Sequence, residues 1–369
     1  MASTRTISGD LAMIRHLLSD DLPRSRLLSA LLLLIVLGLA LAPFIFPGAK
    51  ALNVAAKILI FIVLVASYDL LLGYTGIVSF AHTMFFGIGA YGVAIASSRM
   101  GPGWLALGVG ITSALLLSLV LSLVIGLFSL RVRAIFYAMI TLAVAAAFQT
   151  LASQLSELTG GEDGLSFKLP ELLTPAFRFS ESPFFGVTPD GRLLTYYLLF
   201  ASTVVLFLML LRIVNSPFGR VLQAIRENDF RAEAIGYRTV VFRTLSNVLA
   251  ALFATLAGAL LAIWLRYNGA DTSLSFEIMI DILLIVVIGG MGTLYGAVCG
   301  ATLFILAQSY LQDLMGMAAR ATTSVPLLSA LLSPDRWLLW LGILFILSVY
   351  FFPSGIVGRL RAVRVVRPH

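Results

Sequence analysis

The chain has 369 residues, of which 60% are hydrophobic and only 12% charged, with a mean hydropathy of +1.01. Soluble domains run at about 45–50% apolar and about 25% charged, so this composition excludes an ordinary soluble protein and describes one dissolved in lipid. The net charge of +7, from 25 basic and 18 acidic residues, is not read as nucleic-acid binding, because the basic residues are nearly all Arg and gather at the ends of apolar runs, where orientation signals belong.

A span needs about 20 apolar residues, because a helix rises about 1.5 Å per residue through a hydrocarbon core of roughly 30 Å. Membrane β-strands would instead show about 10 residues of strict alternation. The chain opens with a polar segment, 1–26, carrying Arg5, Arg15, Arg24 and Arg26. The apolar run 27–46 is too long for a usual signal-peptide core and reads as a retained first span. Further spans are predicted at 52–72, 82–98, 104–130, 134–153, 194–212, 240–265, 276–290, 296–315 and 336–352. The expected fold is therefore an all-α polytopic transmembrane helical bundle of about ten spans, with 27–352 as its membrane domain. A basic tail, 353–369, follows.

With the N-terminus inside, the cytoplasmic segments are 1–26, 73–81, 131–133, 213–239, 291–295 and 353–369. They hold most of the Arg, including Arg131, Arg133, Arg359, Arg361, Arg364 and Arg367. The largest outer loop, 154–193, is net acidic and rich in Pro, including Pro170 and Pro183, and reads as an irregular cap. Arg bias and an even span count agree in placing both termini in the cytoplasm. The clusters Gly87–Gly92 and Gly289–Gly296 fall in spans three and eight, which run in opposite directions, as a five-plus-five inverted repeat would require. Close helix packing alone also gathers Gly.

The search for chemistry returns little. His16, His82 and His369 are too scattered for a metal site, and the lone Cys299 cannot form an intrachain disulfide. Only Lys50, Lys57 and Lys168 exist and none follows Gly, so no phosphate-cradling P-loop is encoded. No cofactor, metal or catalytic residue is expected. Glu277 and Asp281 stand at i and i+4 near the outer end of span eight, where hydration is expected.

Two stretches stand out. Between Leu71 and Gly92, small residues, hydroxyls, one imidazole and aromatics mix at membrane depth, where irregular backbone must be buried in protein or line a watery cavity. One reading is a substrate path lined by Tyr74, Ser79, His82 and Thr83; the other is a tight turn with His82 satisfied by a neighbour. Asp69, a costly carboxylate in a span, belongs either to that path or to a bond with the Gly-rich turn. The glycines Gly73, Gly76, Gly87, Gly89, Gly289, Gly290 and Gly292 are candidate hinges of any gating motion.

The second stretch is the basic island 213–239. Ser216 is a plausible N-cap with Pro217 at the first helical position. Val221, Leu222 and Ile225 form an apolar stripe opposite Arg220, Gln223, Arg226 and Glu227. Asn228-Asp229 starts a second short helix closed by Gly236. A basic amphipathic helix can rest on anionic lipid, but Glu227, Asp229 and Glu233 favour docking to a protein partner.

The motifs together resemble the inner-membrane permeases of branched-chain amino-acid ABC importers, of the LivM type. The matching residues are Gly73-Tyr74-Thr75-Gly76, Ser79-Phe80-Ala81-His82, Leu158 to Ser166, Ser216-Pro217-Phe218-Gly219-Arg220 through Gly236, Val287 to Thr293 and Pro353 to Gly358. The resemblance implies a multi-pass protein of the bacterial inner membrane that works with a second homologous permease, two cytoplasmic ATP-binding subunits and a periplasmic substrate-binding protein. It also implies that Pro217, Phe218, Arg220, Arg226, Glu227, Asp229, Glu233 and Gly236 belong to an ATPase-coupling element, although Glu233-Ala234…Gly236 is compressed relative to the usual coupling loop. Rival readings are a permease of the same class for urea, short amides or aromatic acids, and an ion-coupled carrier using Asp69 or His82.

Overall fold

Each of the ten apolar runs folds as a helix, because lipid satisfies no backbone amide and a helix satisfies its own. In this computed structural model the described residues are 25–46, 48–129, 134–178, 189–321, 333–352 and 354–362. The expectations for 1–24 (with Arg5, Arg15, His16 and Arg24), Arg131, Arg133, the loop centre 179–188, Pro353, the Arg361 side chain and the tail with Arg364, Arg367 and His369 lie outside them. The helices are α1 (Arg26–Ile45), α2 (Ala49–Thr75), α3 (His82–Met100), α4 (Trp104–Ser129), α5 (Ala134–Gln154), α6 (Gly191–Asn215), α7 (Pro217–Glu227), α8 (Asp229–Ala234), α9 (Thr239–Leu265), α10 (Phe276–Gly289), α11 (Leu294–Ala321), α12 (Trp337–Phe351) and α13 (Gly355–Ala362). Single helical turns lie at 156–159 and 270–273.

Among the described residues, nine segments are long and apolar enough to cross a membrane, counting 270–289 as one. The tenth expected span, α3, is not among them. Its Gly87, Gly89, Gly92, Ser97 and Ser98 dilute its apolarity, yet its 19 residues rise about 28 Å. It can be that polar because it lies against α4 and α9 rather than against lipid.

The interior is organised on α2 and α9. Within their apolar spans, 94% of α2 and 78% of α9 is buried inside the chain, against 22–28% for α1, α4, α5 and α6. Helices α2 and α9, like α3, are thus shielded from lipid by their neighbours. Helix α9 lies against α2, α3 and α4, while α2 lies against α9, α10 and α11. Buried polar side chains tie these contacts. Asn247 Nδ2 donates to Ser122 O at 2.9 Å and its Oδ1 accepts from Tyr137 Oη at 3.2 Å, joining α9 to α4 and α5. Thr255 Oγ1 donates to Ser118 Oγ at 2.6 Å, and Tyr196 Oη on α6 donates to Leu39 O on α1 at 2.5 Å.

Across the two halves of the chain, α2 lies against α9 and α11, and α4 lies against α9. The glycine clusters do not occupy matching positions. Gly87–Gly92 lies in the middle of α3, whereas Gly289–Gly296 closes α10 and opens α11. Both serve close approach of helices instead.

Contacts sort to two ends. At one, Lys50 pairs with Asp313, Arg192 donates to Asn53 Oδ1 at 3.0 Å, and the two-residue strands β1 (Leu165–Ser166) and β2 (Tyr267–Asn268) pair antiparallel. Leu169 and Leu173 of the long loop are buried beneath this cap. The other end carries α7, α8, α13 and the turns 76–81 and 290–293, with most of the described Arg outside the spans.

Candidate functional site

Local chemistry builds the helix pair at the arginine-rich end. Ser216 Oγ accepts from Gly219 N–H at 3.5 Å, Pro217 opens α7, and Asn228 Oδ1 caps α8 by accepting from Arg231 N–H at 2.9 Å. Leu222 and Ile225 are buried, while Arg220, Gln223, Arg226 and Glu227 are exposed. Gly219 lets α7 fold back on the end of α6, since a Cβ there would lie 1.9 Å from Val214 O. Gly236 stops α8 with φ of 95°, a left-handed conformation cheap only for Gly.

The predicted coupling residues divide by what they touch. Phe218 stacks on Phe242 at 5.8 Å, and Tyr237 meets Phe242 edge-on. Asp229 pairs with Arg243 at 3.1 Å. Glu233 Oε1 accepts from Thr239 Oγ1 at 2.6 Å, at the first residue of α9. These residues hold the pair to α9. The large apolar side chains most exposed on α8 and its end are Phe230, 86% exposed, and Ile235, 67% exposed. Sequence reasoning passed over both. Their signal was two large apolar residues inside the most polar stretch of the chain.

Arg226 turns back toward the membrane domain and donates to Gly73 O at the end of α2. One turn earlier in α2, the buried Asp69 accepts from Gly292 N–H through Oδ1 at 2.9 Å. A Cβ on Gly73 would overlap both Asp69 Oδ1, at 2.0 Å, and Gly292 N, at 2.4 Å. Gly76, Gly290 and Gly292 have positive φ in the same junction, and α13 seats there through Gly355. Three of the seven predicted hinge glycines, Gly73, Gly76 and Gly292, therefore meet Asp69 or Arg226 in this junction, and Gly290 meets Ser354 beside them. Gly289 faces Gly296 O across the α10–α11 contact, while Gly87 meets Leu274 and Gly89 meets Thr255 O inside the bundle.

Tyr74, Ser79, His82 and Thr83 are all buried. His82 Nε2 lies 2.9 Å from Ser67 Oγ and 3.3 Å from Leu64 O, with its ring tilted on Tyr68 at 5.1 Å. The hydroxyl of Ser67 donates to Leu64 O at 2.7 Å, so Nε2 is assigned as the donor to Ser67. The turn 76–81, which holds Ser79, is fixed to α5 by Phe80 N–H donating to Thr141 Oγ1 at 3.0 Å.

A family model described as the permease component of branched-chain amino acid transport systems matches residues 50–349. The chain belongs to that family. The matched region takes in α2 through nearly all of α12 and so contains the junction and the helix pair. This permease is similar to the high-affinity branched-chain amino acid transport system permease protein LivM of Salmonella typhimurium, at 28% identity over 77% of this chain and 68% of that protein. LivM of Escherichia coli is 27% identical over the same shares. A probable branched-chain amino acid permease LivM of Methanocaldococcus jannaschii is 25% identical over 68% of this chain and 69% of that protein. No solved structure matches the chain.

Proposed function

We propose that this protein is the membrane-spanning subunit of an ATP-driven importer of leucine, isoleucine and valine in the bacterial inner membrane. In this reading a second homologous permease completes the path, two cytoplasmic ATP-binding subunits drive it, and a periplasmic binding protein delivers the substrate. The observation that carries it is the helix pair α7–α8. It offers Phe230 and Ile235 outward while Arg226 reaches Gly73 at the α2 turn, one bond from the Gly292 turn through Asp69. A partner pushing on α7–α8 therefore moves the inner ends of α2, α10 and α11 together.

The test is uptake of labelled leucine by the assembled transporter, with isoleucine, valine, phenylalanine and urea as competitors. Block by isoleucine and valine is expected; block by urea alone would replace the substrate assignment. Buried anchors at interfaces each contribute about 2 kcal/mol or more, so Phe230→Ala with Ile235→Ser should lower uptake and transport-linked ATP hydrolysis about tenfold or more. Unchanged rates would remove the helix pair from coupling.

A further inference from the structure

A cleft of about 410 Å³ lies between α2, α9, α10 and α11, away from the junction described above. It is within the size range of small-molecule sites, about 300–1,000 Å³. Its rim, with Asn53, Asp271 and Ser275, belongs to the end of the molecule that carries the long acidic loop. Lys57 is eight residues along α2, about 12 Å below that end. Its ammonium donates to Gln308 Oε1 at 2.9 Å and lies 5.4 Å from the centre of the Phe61 ring. The other end of the same amide, Gln308 Nε2, donates to Asp281 Oδ2 at 3.3 Å.

Gln308 thus holds a cation and an anion apart instead of letting them close an ion pair. An ammonium has three donors and a carboxylate about four acceptor positions, so each charge keeps capacity directed at the cleft. The walls between them are apolar: Phe61, Phe86, Leu261 and Ile278. Glu277 and Asp271 add negative charge toward the rim. Ionisable residues inside a span are costly and mark a substrate or ion pathway, and an uncharged solute would have no use for this pair.

We infer that this cleft is a transit subsite for a zwitterionic amino acid, with the carboxylate on Lys57, the ammonium on Asp281 and an apolar side chain against Phe61 and Ile278. The inference rests on the importer reading and names the groups that would read its substrate. A transit site must bind firmly enough to admit its solute and weakly enough to release it.

The experiment uses the assembled transporter carrying Thr272→Cys at the cleft, with the native Cys299 buried. The rate of modification by a membrane-impermeant thiol reagent is followed with up to about 10 mM leucine, an excess suited to a weak transit site. Leucine is expected to slow modification several-fold. Isopentylamine, which lacks the carboxylate, and 4-methylpentanoate, which lacks the ammonium, should protect far less. Adding Lys57→Met should abolish protection by leucine. A transporter that imports leucine but shows no protection overturns the subsite and leaves the importer reading standing. The same holds if Lys57→Met alone imports leucine at the wild-type rate, a measurement that does not depend on the cysteine variant. A wild-type transporter that imports no branched-chain amino acid, with the Thr272→Cys variant protected by urea and not by leucine, overturns both.

Discussion

Asp69 is the residue whose surroundings decide its role most directly. It sits in α2, buried, one turn before the Gly-rich turn, and its Oδ1 takes the N–H of Gly292 across the bundle. An amide left unpaired in such a place costs about 1–3 kcal/mol. Asp69→Ala should therefore lower the melting temperature of the purified complex by several degrees, while Asp69→Asn, which keeps an oxygen in place, should hold most of it. Equal loss from both would mean that the charge, and not the acceptor, is what the junction needs. Arg226 acts at the same junction from the partner side. Arg226→Met removes a charged donor to Gly73 O, and the protection of amides in 217–235 against hydrogen exchange should fall about tenfold for each 1.4 kcal/mol lost. The α2 interior should keep its protection. Unaltered exchange in α7 would show that the buried Leu222 and Ile225 alone seat the helix. Much at this scale was legible in the sequence: Asp69 was marked by its cost in a span, and Ser216, Pro217, Asn228 and Gly236 by their cap chemistry. The partners were not. Gly292 is 223 positions from Asp69 and Gly73 is 153 from Arg226, and neither pairing leaves a local pattern.

Among elements, the closest approach is the crossing of α3 and α9. A Cβ on Gly89 would lie 1.8 Å from Thr255 O, and one on Gly258 would lie 1.8 Å from Phe86 O. The two helices therefore touch backbone to backbone, the arrangement that small residues permit in membranes, where no hydrophobic force drives helices together. Gly89→Ala and Gly258→Ala each wedge this crossing open at a cost of about 1–3 kcal/mol or more. Because both strain one contact, the double variant should cost less than the sum of the two. Monodispersity and thermal unfolding of the purified protein give the comparison, and full additivity would show that the two sites relax separately. This crossing supports close packing, one of the two readings that the sequence left open for the glycines of α3. The run 82–98 is long enough to be a helix, but only the fold shows that Gly89 meets Thr255 and not a symmetry mate. The cleft of Lys57, Gln308 and Asp281 was invisible for a related reason. Glu277 and Asp281 stood out by their spacing, yet nothing local joins them to Lys57 on α2 or to Gln308 on α11.

At the scale of the molecule, the contacts of the described residues fall at two ends separated by ten helices, and the charge distribution gives those ends opposite character. The order of crossings makes this testable without any partner. Lys50 opens α2 and Pro102 follows α3, so two crossings separate them only if α3 spans. Glu162 lies two further crossings on, beyond α4 and α5, and Asn228 one more, beyond α6. All four are exposed. Single cysteines at 50, 102 and 162 should react with an impermeant reagent added outside intact cells, and one at 228 should react only after the membrane is opened. The Lys50 variant loses an exposed ion pair to Asp313, a contact of about 0–1 kcal/mol that the fold can spare. If 102 and 162 were closed to the outside reagent while 50 and 228 reacted, α3 would be a re-entrant element, lining the interior without crossing it. The Gly-rich stretch before and within α3 would then be the part of the bundle that irregular backbone opens to water. Labelling of 102 together with 50 fixes ten crossings instead. It also puts the cleft at the end where a delivered solute arrives, and α7 with α8 at the end where ATP is available.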